Sequence, residues 1–198
     1  VILQGEGTSI VPIYPETDSG DLIFLPKFGR VLGFTKDGSM ATMVKYNQDG
    51  TRSLYIVTNQ SEERELLRTL PYGNIIGTEF DPTKTILYCL LTEVVEDTEE
   101  YHEQPYLAAF DLKRNHLIPL VIFPNQRSVN MDLSPDGLVL LFDQMVVISN
   151  KEEEQENKEK ISRLWMLPLN SKIPENNSEW RLQPEELPMT GFSPNWAP

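Results

Sequence analysis

Few residues of this chain belong to the types that usually catalyse reactions or bind metals. The 198 residues include two histidines, His102 and His116, and one cysteine, Cys89. A single cysteine excludes an internal disulfide and a multi-cysteine zinc or iron–sulfur site. The histidines lack zinc-binding spacing, and Cys89 lies in an apolar run where a buried structural thiol is expected. The sequence therefore predicts no metal site and no cofactor.

The motifs of common catalytic sites are also missing from the sequence. It has no Gly-x-Ser-x-Gly nucleophile elbow, no Walker loop and no His-Glu-x-x-His. Gly5-Glu6-Gly7 lacks the third glycine and the following helix of a dinucleotide site, so it is interpreted as a turn. We therefore predict no catalytic residue in this chain, and a catalytic domain elsewhere in a longer protein stays open.

Carboxylates are the most distinctive chemical feature. The chain has 30 acidic and 17 basic residues and a net charge of −13, which argues against a nucleic-acid partner. Two inserts, 93–104 and 151–160, hold much of this charge, and the first contains no lysine or arginine. The candidate partner-binding residues on these inserts are Glu93, Glu96, Asp97, Glu99, Glu100, Glu103, Glu152, Glu153 and Glu154.

Two interpretations of these inserts remain open. The charges could simply keep mobile hairpin tips solvated, which is what charge runs usually do. Alternatively, they could form a negative rim that attracts a basic protein partner or a divalent cation. A dedicated calcium site is not expected, because no Asp-x-Asp-x-Asp-Gly loop is present.

The segments around the inserts alternate between apolar and polar residues with a period of two, which is typical of β-strands. Residues 39–47 and 53–58 flank Gln48-Asp49-Gly50 and are predicted to form a hairpin. Similar pairs are 8–14 with 21–28, 85–95 with 105–112, and 138–149 with 162–169. Residues 62–70 suit either a helix or an exposed edge strand. The sequence therefore predicts an almost entirely β chain, with no apolar run long enough for a transmembrane segment.

One junction repeats along the chain: an apolar strand ends in a large residue and is followed by a tight turn. The large residues are Phe34, Phe80, Leu133 and Trp196, at spacings of 46, 53 and 63 residues. Four strand-like runs per interval are typical of a β-propeller blade, with a β-sandwich as the main alternative. The turn residues assigned a structural role are Asp37, Gly38, Asp81, Pro82, Pro135, Asp136, Gly137, Trp196 and Pro198.

Ser134-Pro135-Asp136-Gly137 after an apolar strand, together with Trp196-Ala197-Pro198, resembles the repeat of TolB-type propellers. Similar repeats occur in the propellers of prolyl oligopeptidase, dipeptidyl peptidase and tricorn-type proteases. The resemblance implies that the motif joins the innermost and second strands of a blade. Two copies depart from it: Thr35-Lys36 replaces Ser-Pro, and Thr83-Lys84 replaces Asp-Gly.

The repeats divide the chain into a partial blade (1–30), three blades (31–71, 72–124 and 125–187) and the first strand of a further blade (188–198). The last strand could close a four-bladed ring with the N-terminal strands. Alternatively, about four blades of a larger ring are present. Because the last motif is interrupted and the chain begins at Val1, we expect a piece of a longer protein.

These features together predict a non-catalytic protein-interaction or scaffold module that displays an acidic loop face to a protein partner, for which a basic protein is the candidate. The first alternative is the propeller domain of a larger serine-peptidase-type hydrolase, where it would gate or position substrate. The second is a small-ligand or glycan binder. The resemblance slightly favours a periplasmic or secreted protein, while a single cysteine suits the cytoplasm as well. The oligomeric state is left open.

Overall fold

A computed structural model describes residues 2–4, 7–10, 23–24, 29–58, 60, 62–96, 101–124, 126, 128–149, 158–169 and 182–196. Within these ranges the regular elements are all strands, so none of the described residues belongs to a membrane-spanning helix. A three-stranded sheet contains β1 (Ile2–Gln4), β2 (Gly7–Ile10) and β3 (Ile23–Phe24).

Three four-stranded sheets follow, each an antiparallel meander in chain order. Blade 1 contains β4 (Arg30–Phe34), β5 (Met40–Tyr46), β6 (Arg52–Thr58) and β7 (Glu63–Arg68). Blade 2 contains β8 (Asn74–Phe80), β9 (Ile86–Glu96), β10 (Tyr101–Asp111) and β11 (His116–Ile122). Blade 3 contains β12 (Met131–Leu133), β13 (Val139–Ser149), β14 (Lys158–Pro168) and β15 (Glu185–Thr190).

This architecture confirms the predicted all-β fold of four-stranded antiparallel blades. The hairpin predicted around Asp49-Gly50 is β5–β6, and the ambiguous segment 62–70 forms the edge strand β7. The three-stranded sheet lies within the predicted partial blade 1–30. The predicted boundary between 187 and 188 falls inside β15, so the outermost strand of blade 3 continues to Thr190.

The outermost strands of blades 1 and 3 are more exposed than the strands inside those blades, which explains their composition. β5 and β6 are buried along most of their length, because both faces of a stacked blade contact neighbours. β7 and β15 are mostly exposed and carry charged residues, as expected of edge strands.

Blade 2 lies between two hydrophobic cores, one on each face of its sheet. Leu87, Cys89 and Leu91 alternate along β9 and pack with Val44 and Leu54 of blade 1. The intervening residues of β9 face blade 3. This second core contains Ile86, Tyr88, Leu90, Leu107, Ala109, Ile118, Phe123, Val129, Leu140, Phe142, Leu167 and Leu169. Cys89 is free and fully buried as predicted, and burial raises the pKa of its thiol.

The inner strands of blades 1 and 2 approach each other closely at Gly33. A Cβ atom at this position would lie 2.8 Å from the carbonyl oxygen of Thr78, so a larger residue would push β4 and β8 apart. The hydroxyl groups of Thr42 and Thr78 form a buried hydrogen bond of 2.5 Å at the same junction. This contact fixes the spacing of the first two blades near the centre of the assembly.

The three repeated turns have the same backbone hydrogen bond. The amides of Gly38, Lys84 and Gly137 donate to the carbonyls of the residues three positions earlier, at 2.8–2.9 Å. All three residues have positive φ angles, of 67°, 57° and 75°. Because glycine adopts this conformation more easily than other residues, lysine in the second copy costs some stability.

The second copy keeps the acceptor side chain that the other two copies have at the first turn position, and it adds an ion pair. The carboxylate of Asp81, at the start of the turn, accepts hydrogen bonds from the amides of Thr85 and Ile86 at 2.7 and 2.6 Å. In addition, the ammonium group of Lys84 forms an ion pair with Asp37 of blade 1. The departure from the repeat thus connects two neighbouring blades.

Candidate interaction face

The topology gives the blades two ends with different structures. One end, called the turn face, carries the repeated turns 35–38, 81–84 and 134–137. The other end, called the ribbon face, carries the turn 47–51, the blade-to-blade connection 69–73 and the hairpins that join the second and third strands of blades 2 and 3. Loops displayed on such a rigid scaffold are common binding sites.

The central hairpin of blade 2 extends beyond its neighbouring strands. β8 pairs with β9 only as far as Thr92, and β11 pairs with β10 only from Tyr106. Residues 93–96 and 101–104 pair with each other alone, so they form a two-stranded ribbon about 13 Å long. The predicted insert 93–104 is therefore largely strand, not a loop, and residues 97–100 lie outside the described part of the chain.

The structure describes two carboxylate side chains of this ribbon. Glu93 and Glu103 are exposed and lie on opposite sides of it, because Glu93 pairs with Gln104 and Glu103 pairs with Val94. Glu93 shares its side with Leu91 and thus faces blade 1. Glu103 accepts a hydrogen bond of 3.1 Å from the hydroxyl of Thr92. No ion pair found in the described residues involves either glutamate.

The equivalent hairpin of blade 3 extends in the same direction. β13 and β14 pair with each other from Ser149 to Val139, whereas β12 pairs with β13 only as far as Phe142. Beyond the end of β12, the side chain of Gln126 takes the place of a paired strand. Its carboxamide oxygen accepts from the backbone amide of Met145 at 2.8 Å, and its carboxamide nitrogen donates to the backbone carbonyl of Met145 at 2.9 Å. Blade 3 therefore also presents a ribbon, whose tip at 150–157 lies outside the described residues.

The structure describes only some of the acidic residues that are predicted to bind a partner. Glu93, Glu96 and Glu103 lie on the strands of the blade 2 ribbon, and the structure describes the side chains of Glu93 and Glu103. The remaining predicted residues lie outside the described part of the chain: Asp97, Glu99, Glu100, Glu152, Glu153 and Glu154. Their joint role as a partner-binding face therefore stays a prediction.

Two arginines of blade 1 on the ribbon face have partners within that blade. The Arg68 guanidinium forms an ion pair with Asp49 at 3.3 Å. Arg52 lies over the ring of Tyr46, 4.8 Å from its centroid, and donates to the carbonyl of Gly50 at 2.9 Å. The exposed glutamates of the blade 2 ribbon are therefore not neutralised by these two arginines.

On the turn face, the residues predicted to build turns also connect the blades. The Lys84 ammonium beside Asp37 holds the pKa of that carboxyl well below its usual range. Lys36 donates to the carbonyl of Pro135 at 3.2 Å, from the first repeated turn to the third. Pro82 packs against Gly137: a Cβ atom added to Gly137 would lie 3.1 Å from the Cγ atom of Pro82. The three repeated turns, which are distant in sequence, therefore contact one another on the turn face.

The last repeat is described only in part. The amide of Trp196 donates to the carboxylate of Asp132 at 2.5 Å, which ties this residue to the inner strand of blade 3. The amide of Ser193 donates to Asp143 at 2.8 Å. Pro198, the other predicted residue of this turn, lies outside the described part of the chain.

The three turns surround an inner-rim cleft of about 340 Å³. Its lining mixes charged and apolar side chains, which are Phe34, Thr35, Lys36, Asp37, Glu79, Phe80, Asp81, Pro82, Lys84, Leu133, Ser134 and Pro135. The cleft is near the lower end of the size range of small-molecule sites. Among the described residues, no group of three His, Cys, Asp or Glu side chains converges as metal ligands.

Glu79 is the titratable group of the cleft with the largest upward pKa shift. Burial and, to a smaller extent, the nearby charge of Asp132 together raise the pKa of Glu79 from 4.5 to about 7. Sequence reasoning missed this residue, because a glutamate next to Phe80 gives no signal that a neighbouring blade will bury it.

The shift at Glu79 predicts a pH dependence of stability. Between pH 4.5 and about 7, the folded chain keeps a proton on Glu79 that the unfolded chain releases, so the free energy of unfolding falls as the pH rises through this window. We expect Glu79→Gln to flatten this decline in urea unfolding followed between about pH 5 and about pH 8. Glu63→Gln, which changes an exposed glutamate on β7, should leave it unchanged. An equal slope in wild type and Glu79→Gln would contradict the assignment.

Solved structures similar to this chain share the propeller architecture. The acylaminoacyl peptidase of Pyrococcus horikoshii matches with a TM-score of 0.51 and 13% identity, over 78% of this chain and 31% of that chain. The β-propeller domain of the Trilobed protease from Pyrococcus furiosus matches with a TM-score of 0.50 and 12% identity, over 80% of this chain and 42% of that chain.

This chain therefore spans less than half the length of either solved chain, and the likeness shows the fold alone. No protein-family model matches the sequence, and no curated protein matches it. The TolB-type family is thus not assigned by these comparisons, whereas the propeller fold is. Fold alone does not determine function, which has to be argued from the surfaces that the blades present.

Proposed function

We propose that this chain is a non-catalytic propeller module that binds a basic protein partner through its ribbon face. The observation that carries the proposal is the register of β9 and β10, which extends past β8 and β11 and projects Glu93 and Glu103 beyond the blade. Carboxylates displayed on a projecting ribbon are accessible to a partner that approaches from that end. The residues 97–100 between the two strands add further acidic side chains to the same hairpin.

Charge supports a basic partner in preference to other classes. From residue 93 to 112 the sequence contains no lysine or arginine, and the overall charge is −13. Complementary charge accelerates association and favours partners of opposite sign, with an effect that decreases as salt increases. A nucleic acid would be repelled by the same ribbon.

The test is a set of charge-neutralised variants. We expect the combined change of Glu93→Gln, Glu96→Gln, Glu99→Gln and Glu100→Gln to weaken binding of a fluorescein-labelled lysine–glycine peptide by about tenfold at low salt, because several attractive charges are lost together. The peptide alternates the two residue types, and its binding is measured by fluorescence anisotropy. Unchanged affinity at low salt would overturn the proposal.

A matched control separates this local effect from the overall charge. The combined change of Glu62→Gln, Glu63→Gln, Glu65→Gln and Glu185→Gln removes the same number of exposed carboxylates on and beside the edge strands β7 and β15, outside the ribbons. This variant should bind the lysine–glycine peptide almost as well as wild type. A loss comparable to that of the ribbon variant would show that net charge, not the ribbon face, attracts the peptide.

A second candidate function is a propeller domain within a larger hydrolase, where it would position substrate. Both similar solved structures come from peptidases, and this chain covers less than half of each, which gives this candidate some support. The sequence of the complete gene tests it. A Gly-x-Ser-x-Gly elbow in an adjoining α/β domain would support the hydrolase, and further propeller repeats alone would argue against it.

A further inference from the structure

The connection from blade 1 to blade 2 contains an unusual tyrosine. Leu70-Pro71-Tyr72-Gly73 is a tight turn, closed by a hydrogen bond of 3.1 Å from the amide of Gly73 to the carbonyl of Leu70. Tyr72 occupies the third position with a φ of 65°. Glycine or asparagine is normally found there, since a side chain at positive φ is strained by about 1 to 2 kcal/mol.

The surrounding contacts hold this strained backbone in place. The amide of Tyr72 donates to the carbonyl of Gly50 at 3.0 Å, and the amide of Thr69 donates to the carbonyl of Arg52 at 2.8 Å. The hydroxyl of Thr69 also donates to the carbonyl of Gly73 at 3.3 Å. Strained residues that are held in this way are often found at functional sites.

The strained backbone at Tyr72 is not accompanied by burial of its side chain. Tyr72 is 74% exposed and Leu70 is 75% exposed, and Tyr46 on the adjoining strand β5 is 52% exposed. We call these three residues the aromatic patch. An aromatic ring fixed on a turn is a typical anchor at protein interfaces, because it offers a large contact area and loses little conformational freedom on binding.

The aromatic patch adjoins the acidic ribbon of blade 2. The amide of Asn74, directly after the turn, donates to the hydroxyl of Thr92 at the base of the ribbon at 2.8 Å. Glu93 follows Thr92 and lies on the side of the ribbon that faces blade 1. An exposed apolar anchor and the exposed carboxylate of Glu93 therefore lie side by side on the ribbon face.

We infer that the aromatic patch is the anchoring site for a basic partner segment in which an apolar or aromatic residue lies among lysines or arginines. This inference rests on the proposed function, because the ribbon supplies the attraction for the cations of the same segment. The ring of Tyr72 contacts the apolar residue. Glu93 pairs with a neighbouring cation of the segment.

The experiment compares two labelled peptides that differ at one position: the lysine–glycine peptide and the same peptide with a central tryptophan in place of one glycine. We expect wild type to bind the tryptophan peptide about tenfold more tightly, which is the effect of one good interface anchor. Tyr72→Gly should remove this preference and leave the affinity for the lysine–glycine peptide unchanged. Because glycine suits positive φ, Tyr72→Gly should unfold at the same or a higher temperature than wild type.

Controls distinguish failure of the inference from failure of the proposed function. Leu138→Ser changes a half-exposed apolar residue on the turn face and should keep the tryptophan preference. Neutralising the ribbon should weaken both peptides equally. Equal binding of the two peptides to wild type, or a preference that persists in Tyr72→Gly, would overturn the anchor while leaving the charged ribbon in place. Absence of binding to either peptide would overturn both.

Discussion

Replacing Phe142 by alanine is expected to lower the free energy of unfolding by about 3 to 5 kcal/mol. Phe142 is fully buried between blades 2 and 3. Its ring makes an edge contact with Phe123 at 5.1 Å between centroids and stacks on Trp165 at 6.5 Å. Truncation leaves a cavity that these two rigid rings cannot fill.

Urea unfolding followed by tryptophan fluorescence measures this loss. Phe192→Ala provides the control, since Phe192 is 78% exposed and its removal should change stability by less than about 0.5 kcal/mol. A loss below about 1 kcal/mol for Phe142→Ala would contradict the proposed core between blades 2 and 3. Because small domains are stable by only about 5 to 15 kcal/mol, the expected loss would be a substantial fraction of the total.

Replacing Gly137 by alanine is expected to cost about 2 to 5 kcal/mol, from two independent causes. The first is the φ of 75°, which is unfavourable for alanine. The second is a clash, because the new methyl group would overlap Pro82 of blade 2. The turn of one blade or the other would have to move.

Gly38→Ala separates the two causes. Gly38 has a similar φ of 67°, but a Cβ atom there meets nothing within 4 Å. Gly38→Ala should therefore cost only the conformational part, about 1 to 2 kcal/mol. If both alanine variants unfold at the same urea concentration, the contact between the turns of blades 2 and 3 does not exist.

The repeated turns could be predicted from the sequence because their chemistry is local. Glycine at the position of positive φ, with Asp or Ser nearby to accept amide hydrogen bonds, indicates a tight turn regardless of what surrounds it. Ser134 accepts from the amide of Val139 at 2.9 Å in this way. The second copy shows the limit of such reasoning: Lys84 at positive φ is explained by its ion pair with Asp37, which is 47 residues away in sequence.

The ribbon of blade 2 was harder to predict. Its acidic residues favour a solvated loop by composition, yet 93–96 and 101–104 form paired strands. Val94 and Val95 provide β propensity, but the pairing depends on strands already aligned by the core below them. The position of the acidic residues depends on the register of β9 and β10, and this register cannot be predicted from the number of charges in the sequence.

The aromatic patch gave no recognisable signal in the sequence. Pro71-Tyr72-Gly73 lacks the glycine or asparagine that usually marks positive φ at its third turn position. Tyr46 belongs to a strand and, in the alternating pattern, could equally have faced the core. Its exposure depends on where β5 ends relative to blade 2, which is a property of the assembled blades.

The ribbon face as the binding surface is tested most directly by backbone hydrogen–deuterium exchange with and without the tryptophan-bearing lysine–glycine peptide. The account predicts slower exchange in 69–73 and 92–105 when the peptide is bound. It also predicts unchanged exchange in the turns 35–38, 81–84 and 134–137. Protection confined to those turns, with none on the ribbon face, would contradict it.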